Sequence, residues 1–380
     1  MIMMLLFALL TAAFIVFRVV WPLKIGKFWK AVLILLVLAA CCKNQLTRLF
    51  GGPRFFAPDL PPWILLPAAW AYATALLLFS GLVILEIVRG GAKIVLFCRT
   101  GHAVSEKQER VFLKTGLVLI PIAAALALFG LYRGTALPAV REVELAFPNL
   151  PQSAVNCRIA VLADLHADRV TRSEKIRRVV ERTNGLEPDL TLVLGDLVDG
   201  TVEQRGQELL PLRDLRAKLG VYAIPGNHEY YSGYAPWRTF YSGLGLRLLE
   251  NAHVRLANGI FLAGITDPAA RSFGEPMPDL RKALHGIPEK SFVLLLAHRP
   301  GAARSAAGAR VSLQLSGHTH GGMVFGIDWV VSQFNGGYVS GLYDVNGMKL
   351  YVSNGTLIWN GFPIRLGRES EITLITLKRK

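Results

Sequence analysis

Thiols are scarce in this chain: four cysteines in 380 residues, with no Cys-x-x-Cys pair. Cys41, Cys42 and Cys98 lie in or beside long apolar runs, which leaves Cys157 alone in the rest. A disulfide-rich mini-protein is therefore excluded, and the later part of the chain must hold itself together with a core. Charge is scarce too, at 18% of residues against 52% hydrophobic, with mean hydropathy +0.39. That excludes a disordered basic tail and is too apolar for one ordinary soluble domain. No internal repeat or low-complexity segment is present. Acidic residues are the scarcer sign, 27 against 42 basic, for a formal charge of +15. Such an excess superficially suggests nucleic acid. Its distribution points elsewhere: residues 1–140 carry 14 Lys/Arg and 4 Asp/Glu, residues 141–380 carry 28 and 23. Most of the surplus lies between apolar runs, where it reads as membrane topology.

Four apolar runs precede residue 140: Met1–Phe17 continuing to Val20, Ala31–Cys42, Ile64–Leu85 and Thr115–Tyr132. A crossing needs roughly 20 apolar residues, so the second run is the weakest. It spans only if Lys30 and Lys43 snorkel, and it reads otherwise as a re-entrant or interfacial segment. The first run lacks the basic flank of a cleaved signal peptide. The expectation is a transmembrane region over 1–140 with four helices, about 1–20, 28–46, 64–86 and 115–132. With four crossings, the first and third connections share a side and hold nine Lys/Arg (Lys24, Lys27, Lys30, Arg89, Lys93, Arg99, Lys107, Arg110, Lys114). The other side holds five: Lys43, Arg48, Arg54, Arg133 and Arg141. The richer side is expected in the cytoplasm. This places the protein in the inner membrane of the cell as a multi-pass chain, with its large C-terminal part extracytoplasmic.

From about residue 155 to 380 the texture changes to a second domain. Short β-branched runs alternate with helical patterns, an α/β fold with mixed sheets. Expected strands are Arg158–Leu162, Leu190–Leu194, Val221–Ile224, Ile260–Ala263, Phe292–Leu296, Val311–Leu315, Lys349–Val352 and Ile372–Leu377. Ser173 is placed to cap a helix reaching about Thr183, and a second helix is expected over about Glu203–Lys218.

Polar residues recur directly after these strands: Asp164 and His166, Asp196, Asn227 and His228, His298, and His318 and His320. Ligands of α/β folds collect at the carboxyl ends of strands. Asp-x-His and His-x-His each bracket one loop residue, so both side chains of a pair can turn to one ion. Glycines beside Asp196, Asn227 and His318 let the backbone turn there. So many nitrogen and oxygen ligands exceed one tetrahedral site and fit two ions with a bridging carboxylate. Without thiolates, manganese, iron or zinc suits them better than copper(I) or calcium. Two ions about 3.5–4 Å apart are the standard solution for phosphoryl hydrolysis.

The elements Asp164-Leu165-His166, Gly195-Asp196-Leu197-Val198-Asp199, Gly226-Asn227-His228-Glu229, Ala297-His298 and Gly317-His318-Thr319-His320-Gly321-Gly322 together resemble the calcineurin-like metallophosphoesterase superfamily. The resemblance is to its membrane-associated bacterial branch with a Gly-His-Thr-His-Gly-Gly signature, and it covers about residues 155–380. It implies a four-layered sandwich, two mixed sheets flanked by helices. It implies two divalent or mixed-valence ions (Mn, Fe or Zn): one held by Asp164, His166 and His320, the other by Asn227, His298 and His318, with Asp196 bridging. It gives His228 a catalytic place near the leaving-group oxygen rather than a metal, with Asp199 orienting it. Attack by a metal-bridging hydroxide on a phosphoester or pyrophosphate is the implied reaction. Glu229 reads as structural, and His102, His253 and His285 as solvated histidines.

Substrate signals are weaker. Tyr230–Trp237 reads either as a lip of the site or as an aromatic core helix. Arg238, Arg271 and Arg299 are placed to meet a phosphate or to lie on the surface. Met323 and Trp359 depart from the family's usual glutamine and small residues, which concerns the pocket wall and not the metals. The membrane region favours a phosphorylated small molecule or a phospholipid-like, lipid-linked or envelope substrate, with the bilayer as partner and no obligate protein partner. A relative cleaving UDP-2,3-diacylglucosamine would need a cytoplasmic site. A nuclease would need a basic groove that the near-balanced second part does not suggest. A non-catalytic binding module would have lost ligands, and none is lost.

Overall fold

A computed structural model of the chain describes residues 2–52, 56–100 and 105–380. Met1, Arg54 and His102, and the side chain of Lys107, lie outside the described residues. The chain divides into two compact units: Met1–Tyr132 with Gly361–Ile364, and Arg133–Asn360 with Arg365–Lys380.

In the first unit, three helices among the described residues are long and apolar enough to cross a membrane: Ile2–Val20, Pro62–Thr100 and Glu109–Thr135. The weak second run behaves as its length suggests. It forms two helices, Lys27–Cys41 and Lys43–Gly51, meeting at 74°, so it is either a broken fourth span or a re-entrant pair. Small residues let helices approach: a Cβ on Gly81 would touch Leu119, and one on Gly116 would touch Leu82. Charge at the far end of the spans is paired. Glu86 accepts from Arg18 and Arg89, and Glu109 lies 2.7 Å from Arg89 and 2.6 Å from Lys93. Glu86 is thus paired in place.

The second unit is built on two six-stranded sheets. Its strands are β1 Ala139–Phe147, β2 Arg158–Leu162, β3 Leu190–Val193, β4 Val221–Ala223, β5 Arg247–Leu248, β6 Ala252–Arg255, β7 Phe261–Gly264, β8 Val293–Leu296, β9 Leu313–Ser316, β10 Gly341–Val345, β11 Met348–Val352 and β12 Glu371–Arg379. One sheet runs β1-β12-β2-β3-β4-β5 and the other β10-β11-β9-β8-β7-β6. Both are mixed: β12 is antiparallel to β2, while β2, β3, β4 and β5 are parallel; β7, β8, β9 and β11 are parallel, with β6 and β10 antiparallel at the edges.

Strand residues alternate between faces, and that period of two builds the layers. Ile159, Val161 and Leu192 meet Leu294, Leu296 and Leu313 between the sheets. Their neighbours Leu162 and Val193 face outward to Ile176, Val179, Trp237 and Tyr241 of the covering helices. Leu295, Leu350 and Val352 face Ala283, Ala303 and Ala306 on the opposite outside. The result is an α/β unit of two mixed sheets flanked by helices. Leu294 is fully buried at its centre. Leu294→Ala is expected to cost about 2–5 kcal/mol, because the rigid sheets cannot close over the lost methyls. A chemical denaturation curve of the full chain in detergent, followed by near-ultraviolet circular dichroism, measures it.

Several local readings are revised. Arg172, not Ser173, is the N-cap of helix Ser173–Asn184, and Ser173 instead donates its N–H to Glu208. The helix expected over Glu203–Lys218 is α-helical only over Val202–Leu209 and tightens to a 3-10 turn, Leu210–Asp214, where Pro211 lacks the N–H to continue. Strand β1 begins upstream of residue 155 and pairs in parallel with β12.

Candidate metal centre

Every strand-end residue singled out above arrives at one place. The loops after β2, β3, β8 and β9 bring Asp164 and His166, Asp196, His298, and His318 and His320 together, and helix Asn227–Ser232 starts there after β4. Three overlapping groups have ligand atoms within 4.8 Å of one another: Asp164, His166 and His320; His166, Asp196 and His228; Asp196, His298 and His318. His318 and His320, one residue apart, therefore turn to different groups rather than to one ion.

The backbone is bent to achieve this. Asp164, His166, Asp196, His318 and His320 all have positive φ, between 45° and 71°. Five non-glycine residues in the left-handed region within one site are costly and persist only where the surroundings impose them. Gly195, before Asp196, turns as expected at φ 87°, while the glycines before Asn227 and His318 serve a different purpose. A Cβ on Gly226 would collide with Asp196 Oδ1, and one on Gly317 would lie 2.7 Å from Asp164 Oδ2. They are small because carboxylates sit against their backbone.

Glu229 is a clamp. Its Oε2 accepts from the N–H groups of Asp196 and Gly226, and its Oε1 from Leu197 N–H and the Tyr241 hydroxyl. One buried carboxylate thus ties the Asp196 loop to the Asn227 helix. Arg365 does the same for His320: it donates to the carbonyls of His320 and Leu357 and lies 3.3 Å from His320 Nδ1. Sequence reading missed Arg365. It also missed Asn354-Gly355, which follow β11 as other site residues follow their strands, and a Cβ on Gly355 would touch Asp164 and His320.

The histidines are oriented by what they donate to. His298 Nδ1 gives its proton to the Leu194 carbonyl at 2.6 Å, which leaves Nε2 facing Asp196 Oδ2 at 3.2 Å. Nδ1 of His228 bonds Asp199 Oδ1 at 2.5 Å, and its Nε2 lies 4.0 Å from Asp196 Oδ2. Asp199 reaches further than expected: its Oδ2 lies 3.3 Å from His166 Nδ1. His166 Nε2 and His320 Nε2 are 3.0 Å apart.

Electrostatics mark the site as a cation trap. Burial alone would lower the pKa of His298, but Asp196 and Asp164 raise it to about 10. Burial would likewise lower His228, and Asp199 and Asp196 raise it to about 9. Burial pushes Asp164 up, whereas Asp196, despite its own burial, is held well below the usual carboxylate range by His298 and His228. His318 and His320 stay neutral, pushed well down by burial and by neighbouring cationic groups. A field that holds protons on His298 is one that a divalent ion competes for. Asn227 Oδ1 is buried without a hydrogen-bond partner. A lone acceptor beside buried carboxylates and imidazoles whose ligand atoms converge fits metal. The groups can jointly hold two ions of mixed nitrogen and oxygen ligation.

The residues after Gly317–Gly322 and His228 complete the surroundings. Trp359 stands edge-on to His228, with ring centroids 5.8 Å apart, and 6.5 Å from His166. The segment Tyr230–Trp237 divides between the two readings: Tyr230, Tyr234 and Trp237 are buried, while half-buried Tyr231 lies 5.4 Å from the His228 ring. Arg238 pairs with Glu250 and Arg299 with Asp267, whereas Arg271 is exposed. His253 is not solvated as expected but bonds the Ala283 carbonyl; His285 is exposed.

Residues 157–322 match the family model described as calcineurin-like phosphoesterase. Among relatives, "Transmembrane protein with metallophosphoesterase domain" of Danio rerio is 36% identical, over 75% of this chain and 67% of that protein. An uncharacterized metallophosphoesterase of Helicobacter pylori (strain ATCC 700392 / 26695) is 37% identical, over 72% of each. The chain belongs to the calcineurin-like phosphoesterase family. Among solved structures, a 5'-nucleotidase precursor from Thermus thermophilus aligns at 19% identity and TM-score 0.37, over 58% of this chain and 54% of that one. Membership, the buried His/Asp groups and the apolar helices make this a membrane-associated, metal-dependent hydrolase.

Proposed function

We propose that the chain is a multi-pass phosphohydrolase that cleaves a phosphoester or pyrophosphate bond at a dinuclear metal site. The observation that carries this is the convergence of Asp164, His166 and His320, all buried, with Asp196, His298 and half-buried His318. In this reading Asp164, His166 and His320 would hold one ion, Asn227, His298 and His318 the other, and Asp196 would touch both. Bound there, the metals would supply Lewis acidity, activating the nucleophile and neutralising charge on the phosphoryl oxygens.

The chain's own residues do the rest. Asp199 accepts from Nδ1 of His228 and so turns Nε2 to the site, where it bears a proton when the ring is the imidazolium. The Asp199 carboxylate raises the His228 pKa and so favours the imidazolium, which can hand its proton to a leaving oxygen. Glu229 and Arg365 hold the loops that carry these groups. Trp359 and Tyr231 wall the approach with apolar surface, which favours a substrate carrying an organic group beside its phosphate. The Gly-His-Thr-His-Gly-Gly run, residues 317–322, supports placement in the membrane-associated bacterial branch. Taking the bent helix pair as one crossing, the nine-to-five Lys/Arg asymmetry supports an extracytoplasmic position for residues 155–380.

The test is one screen of the manganese-loaded full chain against phosphomonoesters, phosphodiesters, lipid phosphates and nucleotide-sugar lipids. Turnover of at least one class is expected. Removing metal with a chelator should abolish it, and adding Mn back should restore it. Turnover that survives complete metal removal would sink the reading.

A further inference from the structure

Immediately after the metal-site loop, the chain exposes what a soluble domain buries. Phe325 is 79% exposed, Trp329 70% and Phe334 83%, with Ile327 and Val330 also exposed. Five large apolar side chains within ten residues form a contiguous stretch rather than scattered singles. Its backbone is ordered. Phe325 N–H bonds the Leu366 carbonyl at 2.7 Å, and Trp329 and Val330 stand on a helix, Asp328–Gln333. The stretch from Met323 to Phe334 carries one ionisable group, Asp328. That carboxylate accepts from Arg368 at 3.2 Å and from the N–H groups of Gly326 and Trp329. No unsatisfied charge within the stretch opposes its transfer to an apolar medium.

Which occupant fits is decided by where the chain leaves its last membrane helix. Arg133, in the final turn of helix Glu106–Thr135, pairs with Glu369. Ala139 N–H bonds the Ser370 carbonyl at 2.9 Å. The next residue back, Arg368, is the one that pairs with Asp328. Consecutive Cα atoms are about 3.8 Å apart. The exposed stretch is therefore tied, through residues 368–370, to Arg133 and Ala139, which follow the last apolar helix residues directly in sequence. Exposed tryptophan and phenylalanine are side chains that settle at a headgroup–acyl boundary.

We propose that the Phe325–Phe334 stretch seats in the bilayer interface on the side where helix Glu106–Thr135 ends. It acts as a second, monotopic contact beside the spans. Because it follows Gly317–Gly322 directly, seating it holds the His318–His320 loop at headgroup depth, where a phosphate borne by a lipid resides. The docking does not depend on the hydrolase reading; only that last consequence does.

The test uses the full-length chain in phosphatidylcholine nanodiscs doped with a phosphatidylcholine carrying a diazirine near the top of its acyl chain. After photolysis, labelled peptides are mapped by mass spectrometry. Peptides covering 323–334 are expected to label several-fold above those covering the exposed Lys290 surface, as the spans do. The pair Trp329→Asp and Phe334→Asp should bring that labelling down to the Lys290 level, with metal content unchanged as a check on folding. Labelling of 323–334 no higher than the Lys290 surface while the spans label strongly would overturn the proposal, and so would labelling indifferent to the two aspartates. Neither readout involves turnover, so loss of the hydrolase reading and loss of the docking are seen separately.

Discussion

Asp196→Ala is expected to abolish turnover and to lower bound metal from two ions toward one per chain. Asp196 belongs to two of the three ligand groups, and its Oδ2 lies 3.2 Å from His298 Nε2 and 3.9 Å from His166 Nε2. Removing it takes a ligand from both sides at once. Disturbing only an outer partner of a metal ligand costs about 10–100-fold, so loss of a shared ligand should exceed about 100-fold in kcat/KM. A second cost is electrostatic. Asp196 is the largest upward influence on the His298 pKa, so without it a buried imidazole loses its counter-charge in a site that desolvates it. Asp196→Asn separates the two effects. It keeps the shape and one oxygen but not the charge, so it should retain fold and some metal while losing turnover. Metal content by inductively coupled plasma mass spectrometry, alongside hydrolysis of whichever substrate the screen returns, decides it. Two ions and near-normal turnover in Asp196→Ala would rule out the shared-ligand role.

The candidate site was legible because each polar residue brought to it follows an apolar run, and apolar runs of four or five β-branched and leucine residues are hard to mistake. Asp164 after Leu162, Asp196 after Val193 and His298 after Leu296 follow that grammar. Partition of the ligands was less legible. Whether His318 joins His298 or His320 depends on β9 lying parallel between β8 and β11, a long-range pairing that local pattern does not encode. Supporting residues were harder still. Glu229 and Arg365 act through backbone N–H and carbonyl groups of distant loops, and nothing in a neighbouring residue announces that. Strand β1 was missed because Val140-Arg141-Glu142-Val143-Glu144 is half polar, as an edge strand should be. The bent second run shows the same limit in the membrane unit: its 12 apolar residues were too few to settle a crossing, and the chain breaks at Cys42.

Substituting His228 should separate chemistry from metal binding. His228→Gln is expected to lower kcat by about 10²–10⁴-fold, the usual worth of a positioned acid, and to leave metal content nearly intact. The sign of the pH dependence follows from which form works. The proton donor is the imidazolium, which the Asp199 carboxylate holds above the usual histidine pKa, so activity should be lost on the alkaline side, as pH rises through that raised value. Asp199→Asn tests where that value comes from. Burial pulls the imidazole down and Asp199 is the largest influence pulling it up, so the neutral amide should move the alkaline limb toward lower pH. It should also lower kcat, because the amide no longer enforces the tautomer that Asp199 Oδ1 imposes on Nδ1. Asp199 also stands 3.3 Å from His166, so metal content must be measured in the same preparations. A pH profile that shifts while both ions remain identifies Asp199 as the group that positions and charges His228. Metal loss on replacing His228 would instead make that histidine a ligand.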